Sequence, residues 1–155
     1  MKQPDGSSRN INFESDKFPL ENDTVDSVIM LNILEHIYNY RFLISEAYRV
    51  SKNNSQLVGF VPFLVGYHPD PHDYFRYTKE ALNLIFKEAG FSEVRVFEIG
   101  NGPFTVNFNN LTLSMPRVLR VLSWPIYYLL DLVFIYFSSN AKTRFPVGYF
   151  FTAFK

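Results

Sequence analysis

Two groups of polar side chains in this sequence have the chemical types needed for binding or acid–base work. Asn32, Glu35 and His36 directly follow an apolar run. The second group lies in one loop segment and consists of His68, Asp70, His72 and Asp73. Imidazole and carboxylate groups can bind zinc or iron, but this loop spacing belongs to no strong metal motif. We therefore expect no metal there, and proton transfer or substrate binding becomes the working hypothesis.

The elements around the first group predict a parallel β-sheet. The apolar run Val25–Leu31 is typical of a strand covered on both faces. An amphipathic helix is expected over Tyr40–Val50, and a turn at 52–55 precedes a second apolar run at 57–61. Strand, helix and strand form a βαβ unit. Ligands bind at the carboxyl ends of strands in such sheets, which is where the first polar group lies.

Further elements complete an α/β fold. Thr78 is a predicted N-cap for a helix over 79–89, with Gly90 as its stop signal. Strands are predicted at 94–99 and 147–154, the last one antiparallel and closing the sheet edge. A short strand is also predicted at 11–13, after a loop at 1–10.

An apolar insertion at about 107–146 separates the last two strands. A spanning helix needs about 20 largely uncharged residues, and Arg120, Pro125 and Asp131 argue against a clean span. Two interpretations stay open. The insertion forms an interfacial helix or helical hairpin on a membrane, or it packs as a helical pair on the domain or on a second subunit.

Composition narrows the class of protein. The length of 155 residues predicts a single domain. Fifteen basic and fifteen acidic residues give no net charge, so a nucleic-acid partner is not expected. The absence of cysteine excludes disulfides and fits a reducing compartment. The polar N-terminus does not have the pattern of a signal peptide. We expect a cytoplasmic protein, with peripheral contact to the inner face of the membrane if the insertion binds lipid.

Three segments of the chain read, in order, F-P-L-E-N-D-T-V-D-S-V-I-M-L-N-I-L-E-H-I, then S-E-A-Y-R-V-S-K-N-N-S-Q-L-V-G-F-V-P, then H-D-Y-F-R-Y-T-K-E-A-L-N-L-I-F-K-E-A-G-F. Together they resemble class I S-adenosylmethionine-dependent methyltransferases of the type 11 group. The third is similar to members from sugar and envelope-polysaccharide biosynthesis. The resemblance implies a Rossmann-like sheet, S-adenosylmethionine as cofactor, and methyl transfer to oxygen or nitrogen of a small or saccharide-linked acceptor.

The chain also departs from the family pattern. The family's glycine-rich cofactor loop and first strands should precede Ile11, where this sequence has ten residues. We therefore expect residues 1–155 to form one truncated methyltransferase-like domain. The unprotected strand at Val25–Leu31 would favour a homodimer or require a missing N-terminal half. The alternative function is a non-catalytic remnant that binds a partner or membrane through 117–137.

The resemblance also implies roles for individual residues. Glu14 and Ser15 would lie beside the adenine, and Leu31 and Asn32 would line the cofactor pocket. His36 would orient substrate or act as a base, unless it caps or packs on the crossover helix.

The loop after the second strand of the βαβ unit would overhang the active site. Its residues that would contact the methyl acceptor are His72, Asp73, Tyr74 and Arg76. Arg76 would pair with a phosphate or carboxylate of the acceptor, or alternatively with Asp73 to fix the loop.

Overall fold

The computed structural model describes residues 10–138 and 140–155. The loop predicted for 1–10 lies outside this part, except for Asn10. The described strands are β1 (Val25–Leu31), β2 (Ser51–Pro62), β3 (Glu93–Ile99) and β4 (Gly148–Phe154). The helices are α1 (Tyr40–Val50), α2 (Lys79–Glu88), α3 (Pro103–Leu111), α4 (Arg117–Phe137) and α5 (Ala141–Arg144). Short 3₁₀ turns cover Leu34–His36 and Thr112–Ser114.

The four described strands form one mixed sheet in the order β1-β2-β4-β3. β1 and β2 pair in parallel, and β4 runs antiparallel to both of its neighbours. This confirms the predicted α/β class with an antiparallel last strand. The predicted edge position of β4 is wrong, because β4 lies between β2 and β3. Its backbone pairs on both sides, with β2 and with β3, and Tyr149, Phe151 and Ala153 are all buried.

Two local predictions for the first half of the chain need correction. No strand forms at 11–13. The Asn12 side chain accepts a hydrogen bond from the Glu14 backbone N–H at 3.0 Å, and this local bonding competes with strand pairing. The predicted turn at 52–55 lies inside β2. The backbone is nevertheless irregular here: Asn54 has a left-handed φ of 63°, and the β1–β2 register shifts at this point.

Helices α1 and α2 cover one face of the sheet. α1 has the predicted bounds, and Thr78 caps α2 by accepting a hydrogen bond from the Ala81 N–H at 3.2 Å. Gly59 in β2 has no side chain because the ring of Phe151 fills that space, where it packs against Phe86 with ring centroids 4.9 Å apart. The core beneath the two helices is built mainly from Leu43, Ile44, Ala47, Leu57, Val61, Leu82, Phe86 and Phe151.

The opposite face of the sheet is apolar and open over the described residues. Ile29 is 67% exposed, Leu31 53% and Phe97 50%. These side chains alternate with the buried ones along their strands, so they all lie on this second face. β1 is also an edge strand of the described sheet. The strand that ends beside the first polar group is therefore covered on one face only.

α3 and α4 form a helical hairpin between β3 and β4. Phe104 packs against Phe134, and Phe108 packs against Tyr127, with ring centroids 5.9 and 4.9 Å apart. The carboxylate of Asp131 on α4 is fully buried and accepts hydrogen bonds from the first backbone N–H groups of α3. α4 continues through Pro125, and its 21 residues are long and apolar enough to cross a membrane.

Candidate functional site

An open cavity of about 710 Å³ lies where β1 and β2 end. Its size is typical of sites for small molecules and cofactors. Side chains come from the turn before β1, from the ends of β1 and β2, from the loop after β2 and from α3. The lining includes Phe13, Asn32, Ile33, His36, Ile37, Phe60, Pro62, Val65, His68, Asp70, Pro71, Asn109 and Val147. The carboxyl ends of the parallel strands β1 and β2 thus line this cavity, which is where ligands bind in such sheets.

Asn32 marks the point where β1 ends and the cavity begins. Its φ of 51° lies in the left-handed region, which asparagine tolerates better than most residues. Its backbone N–H donates to the Phe60 carbonyl at 3.0 Å, which extends the β1–β2 pairing by one bond. Asn32 lines the cavity, whereas the neighbouring Leu31 is 53% exposed on the open face of the sheet.

Glu14 and Ser15 lie in the turn that carries Phe13 into the cavity wall. The Glu14 carboxylate accepts hydrogen bonds from the backbone N–H groups of Tyr38 and Asn39, at 2.8 and 2.6 Å. Glu14 therefore satisfies donors at the start of α1. The Ser15 hydroxyl donates to the Asp16 carboxylate at 3.2 Å. Of these turn residues, only Phe13 is part of the cavity lining.

Glu35, His36 and His68 converge at the cavity wall. The Glu35 Oε1 atom lies 3.6 Å from His36 Nε2 and 3.9 Å from His68 Nε2. The two imidazole rings meet edge to face, with centroids 5.4 Å apart. Glu35 is fully buried, while the side chains of His36 and His68 are 15% and 39% exposed. The 3₁₀ turn after β1 and the loop after β2 supply this cluster together.

Burial dominates the electrostatics of Glu35. Removal from water raises the pKa of its carboxyl group, and the nearby His36, His68 and Arg76 only partly oppose this shift. Neither carboxylate oxygen accepts a hydrogen bond from the part of the chain that the structure describes. A buried carboxylate without hydrogen-bond donors is unusual, and it faces two histidine rings.

Asp73 and Arg76 fix the loop after β2. The two guanidinium N–H groups of Arg76 donate to both carboxylate oxygens of Asp73, which lowers the pKa of Asp73 to about 2. Asp73 also accepts from the His68 backbone N–H at 3.1 Å. This pairing corresponds to the alternative role considered for Arg76. Neither side chain belongs to the cavity lining.

His72 and Tyr74 lie toward solvent. Their rings pack with centroids 5.2 Å apart, and Tyr74 is 42% exposed. The His72 side chain is also exposed, but its backbone carbonyl accepts a hydrogen bond from His36 Nδ1 at 2.5 Å. The structure therefore brings His36 together with His68 and leaves the His72 ring outside the cavity lining.

The contact between Glu35 and His68 was not predicted from the sequence. Thirty-three positions separate them, so no local spacing reveals it. The sequence signal that could have revealed it is the position of Glu35, an acidic residue in the apolar context of Leu34 and Ile37. A buried acid in that context usually has a partner.

α3 also belongs to the site. The Asn110 side chain accepts from the Gly66 N–H at 2.8 Å and donates to the Leu64 carbonyl at 3.2 Å. Asn109 lines the cavity. These bonds connect the helical hairpin to the loop that holds His68, so the hairpin and the cavity are one structural unit.

Comparison with known proteins gives a family match over part of the chain and a fold. Residues 2–59 match the family described as Methyltransferase domain. No curated protein sequence matches this chain significantly. Among solved structures, a SAM-dependent methyltransferase from Archaeoglobus fulgidus aligns with a TM-score of 0.56 and 18% identity. The alignment covers 88% of this chain and 62% of that one.

Two further structures show how widely this fold is used. The [4+2]-cyclase SpnF aligns with a TM-score of 0.55 and 14% identity, over 94% of this chain and 55% of its own. A phosphoethanolamine N-methyltransferase 2 from Haemonchus contortus, in complex with S-adenosyl-L-methionine, aligns with a TM-score of 0.54 and 16% identity. This alignment covers 89% of this chain and 35% of that one. This chain thus spans less than two thirds of each. It has the fold of S-adenosylmethionine-dependent methyltransferases, and its N-terminal third matches a methyltransferase domain.

Proposed function

We propose that this chain forms the acceptor side and one wall of the cofactor site of an S-adenosylmethionine-dependent methyltransferase. The observation that carries the proposal is the cavity at the ends of β1 and β2, in a sheet with this fold. The fold alone does not define the reaction, since a cyclase also shares it. The family match over residues 2–59, which includes β1 and Asn32, supports methyl transfer in particular.

The residues at the cavity fit the cofactor. A volume of about 710 Å³ suits a nucleoside ligand and a small acceptor together. Phe13 offers a ring that is 39% exposed at the wall, and the Asn32 side chain can donate and accept hydrogen bonds. These residues come from the ends of β1 and β2 and the segments beside them, so the proposal concerns one wall of the cofactor site.

Methyl transfer from S-adenosylmethionine requires few catalytic side chains. S-adenosylmethionine supplies an activated methyl group, and the protein must align it with a nucleophilic oxygen or nitrogen. His36 and His68 place ring nitrogens at the wall where the acceptor would lie. Arg76 and Asp73 hold that loop in position. The segment at 72–91 motivates a small or saccharide-linked acceptor, because it is the part that resembles enzymes acting on sugars.

Calorimetric titration of the purified chain with S-adenosylhomocysteine tests this proposal. We expect saturable one-to-one binding that is weakened in Asn32→Gly. Glycine is the appropriate replacement because it removes the side-chain amide and still adopts the φ of 51°. Circular dichroism must show that both proteins are folded. A folded chain that binds no S-adenosylhomocysteine at millimolar concentration would refute the proposal for this chain.

We also propose that the helical hairpin docks on the surface of an anionic bilayer. The outer surface of α4 is apolar on several sides at once, with Trp124 52% exposed, Leu122 67%, Leu129 59% and Leu130 41%. A single partner helix would cover one stripe of this surface and leave the rest in water. A lipid surface can cover a much broader part of it.

Charge complementarity favours anionic lipid. Between β3 and β4 the basic residues are Arg117, Arg120, Lys142 and Arg144. Asp131 is the acidic residue of this segment, and it is buried against α3. All charges that this segment presents to solvent are therefore positive. Arg117 and Arg120 in the first turn of α4, and Lys142 and Arg144 beyond its end, can contact headgroups if the helix lies in the plane of the interface.

Co-sedimentation with vesicles tests the docking. We expect the chain to bind vesicles containing phosphatidylglycerol more strongly than vesicles of phosphatidylcholine alone. Leu122→Glu with Leu129→Glu should abolish binding, and Arg117→Glu with Arg120→Glu should remove the preference for anionic lipid. Light scattering of the lipid-free protein measures whether the same surface instead forms a dimer. A stable dimer that is disrupted by the leucine variants, without vesicle binding, would refute the lipid assignment.

A further inference from the structure

The cluster of Glu35, His36 and His68 contains three hydrogen-bond acceptors that point toward one another. The His36 Nδ1 atom lies 2.5 Å from the His72 backbone carbonyl, and the His68 Nδ1 atom lies 3.0 Å from the Gly66 carbonyl. A carbonyl oxygen can only accept, so these bonds place the hydrogen on each Nδ1; for His68 this bond is shorter than the 3.5 Å contact between Nδ1 and the Arg76 guanidinium, which would require the other tautomer. The Nε2 atom of each neutral ring therefore presents a lone pair.

Both lone pairs face the Glu35 carboxylate. The distances from Oε1 are 3.6 Å to His36 Nε2 and 3.9 Å to His68 Nε2, and the three residues each offer one ligand atom within 4.8 Å of the other two. The carboxylate is fully buried and accepts no hydrogen bond from the described residues. Three electron-rich atoms in such proximity repel one another unless a positive charge lies between them.

We propose that Glu35, His36 and His68 bind one divalent transition-metal ion, with zinc as the best fit. Zinc binds imidazole nitrogen and carboxylate oxygen at about 2.0–2.2 Å, so two tetrahedral ligands are roughly 3.4 Å apart. The observed separations of 3.6 and 3.9 Å need only small side-chain movements to reach this value. Two histidines and one glutamate form a donor set that is typical of catalytic zinc.

The surroundings have the features of an outer shell. Metal-bound histidines commonly donate their second ring N–H to a carbonyl, which fixes the ring orientation. Both rings do so here, through His72 and Gly66. The Glu35 backbone carbonyl accepts from the Tyr74 N–H at 2.8 Å, so the loop after β2 is attached directly to the ligand segment.

The site would act on the methyl acceptor, and this step depends on the proposed function. His36 and His68 line the cavity, so a fourth coordination position is directed toward bound substrate. An acceptor hydroxyl bound there would release its proton to solvent more readily. Its oxygen electron pair would form the bond to the methyl carbon. The carbon–sulfur bond would break toward sulfur and yield S-adenosylhomocysteine. The acceptor class is therefore a hydroxyl compound.

Metal binding is measured on tag-free protein that has been stripped with a chelator. Titration with zinc chloride, and the visible absorption spectrum with cobalt(II), should show one equivalent of tightly bound metal with nitrogen and oxygen ligands. His68→Gln should weaken binding by more than about 100-fold, because it removes a ligand rather than an outer-shell partner. His72→Gln is the matched control, since its ring lies outside the cluster and should not affect binding.

Glu35→Gln separates metal binding from simple burial of a charge. In metal-free protein this change should leave the unfolding temperature unchanged or raise it, because it removes an unpaired buried carboxylate. Zinc should raise the unfolding temperature of the original protein and of His72→Gln, but not that of Glu35→Gln. Should Glu35→Gln fail to fold, the partly exposed His68→Gln variant still decides the question.

Equal zinc affinity in His68→Gln and the original protein would overturn the proposal, as would lack of binding at micromolar zinc. These measurements do not involve S-adenosylhomocysteine. Zinc binding without S-adenosylhomocysteine binding would keep the metal site and refute the methyltransferase proposal. S-adenosylhomocysteine binding without zinc binding would support the methyltransferase proposal and refute the metal site.

Discussion

Replacing Asp131 should destabilise α3 more than any other part of the fold. Its carboxylate accepts from the N–H groups of Phe104 and Thr105 at 2.9 and 2.8 Å, at the start of α3. Asp131 lies on α4, so one side chain joins the two helices and satisfies donors that the helix itself cannot. The fit is close, because a Cβ on Gly102 would lie 2.4 Å from Asp131 Oδ1.

The size of the effect follows from the two hydrogen bonds. A hydrogen bond to a charged group contributes about 1.5–3 kcal/mol, and replacing a helix cap by alanine costs about 0.5–2 kcal/mol. We expect Asp131→Ala to lower the free energy of opening α3 by about 3 kcal/mol, and Asp131→Asn by about half as much because one oxygen remains. A change of 3 kcal/mol corresponds to roughly 100-fold faster hydrogen exchange.

Hydrogen exchange measured by mass spectrometry should therefore detect the change in peptides covering 103–111. Gly102→Ala should produce a similar loss of protection with Asp131 still present, since the new methyl group displaces the carboxylate. Leu132→Ala is the control, because that neighbouring side chain is 48% exposed and should change stability by about 0.5 kcal/mol or less. Unchanged protection of 103–111 in Asp131→Ala would show that this reasoning is wrong.

Three further predictions concern helix α1 and the sheet. Arg49 lowers the pKa of Glu46 below its ordinary value of 4.5. In urea titrations, the free energy of unfolding of the original protein should exceed that of Glu46→Gln by about 1–3 kcal/mol above pH 4.5. This difference should decrease as the pH falls below 4.5, because Glu46 is then protonated. Gly59→Ala should cost about 1–3 kcal/mol through overlap with the Phe151 ring; Phe151→Leu should restore part of that loss, and purely additive changes would contradict this. Ile29→Lys should reduce self-association in sedimentation velocity and shift stability by about 0.5 kcal/mol or less; a large loss of stability would mean that this face is covered.

The sequence predicted the elements that depend on local signals. The α1 bounds, the Thr78 cap and the left-handed Asn54 all follow from side-chain periodicity or turn chemistry within a few residues. The position of β4 does not follow in this way. Which strands it pairs with depends on how the hairpin between β3 and β4 packs, and the residues of β4 would be equally apolar at an edge or in the interior.

The candidate site was predictable only in part, for a related reason. Asn32 and His36 could be placed at the cavity because they follow a strand end. The side-chain roles of Glu14 and Asp73 depend on distant backbone and side-chain partners. Glu14 satisfies N–H groups 24 and 25 residues away, and Asp73 is held by Arg76. His68 replaces His72 beside His36 because the loop turns back over the 3₁₀ turn, and residue spacing alone does not specify that turn.

A continuous chain of hydrogen bonds connects helix α4, the proposed membrane-docking element, to the cavity wall at His68. Asp131 on the exposed helix α4 anchors the start of α3, and Asn110 near the end of α3 holds the backbone at Gly66. The Gly66 carbonyl in turn accepts from His68 Nδ1, which fixes the ring that faces Glu35. Each link is a hydrogen bond to a defined backbone atom. A bilayer that fixes α4 would therefore restrict the loop carrying His68, so membrane docking and the geometry of the cavity should be energetically coupled.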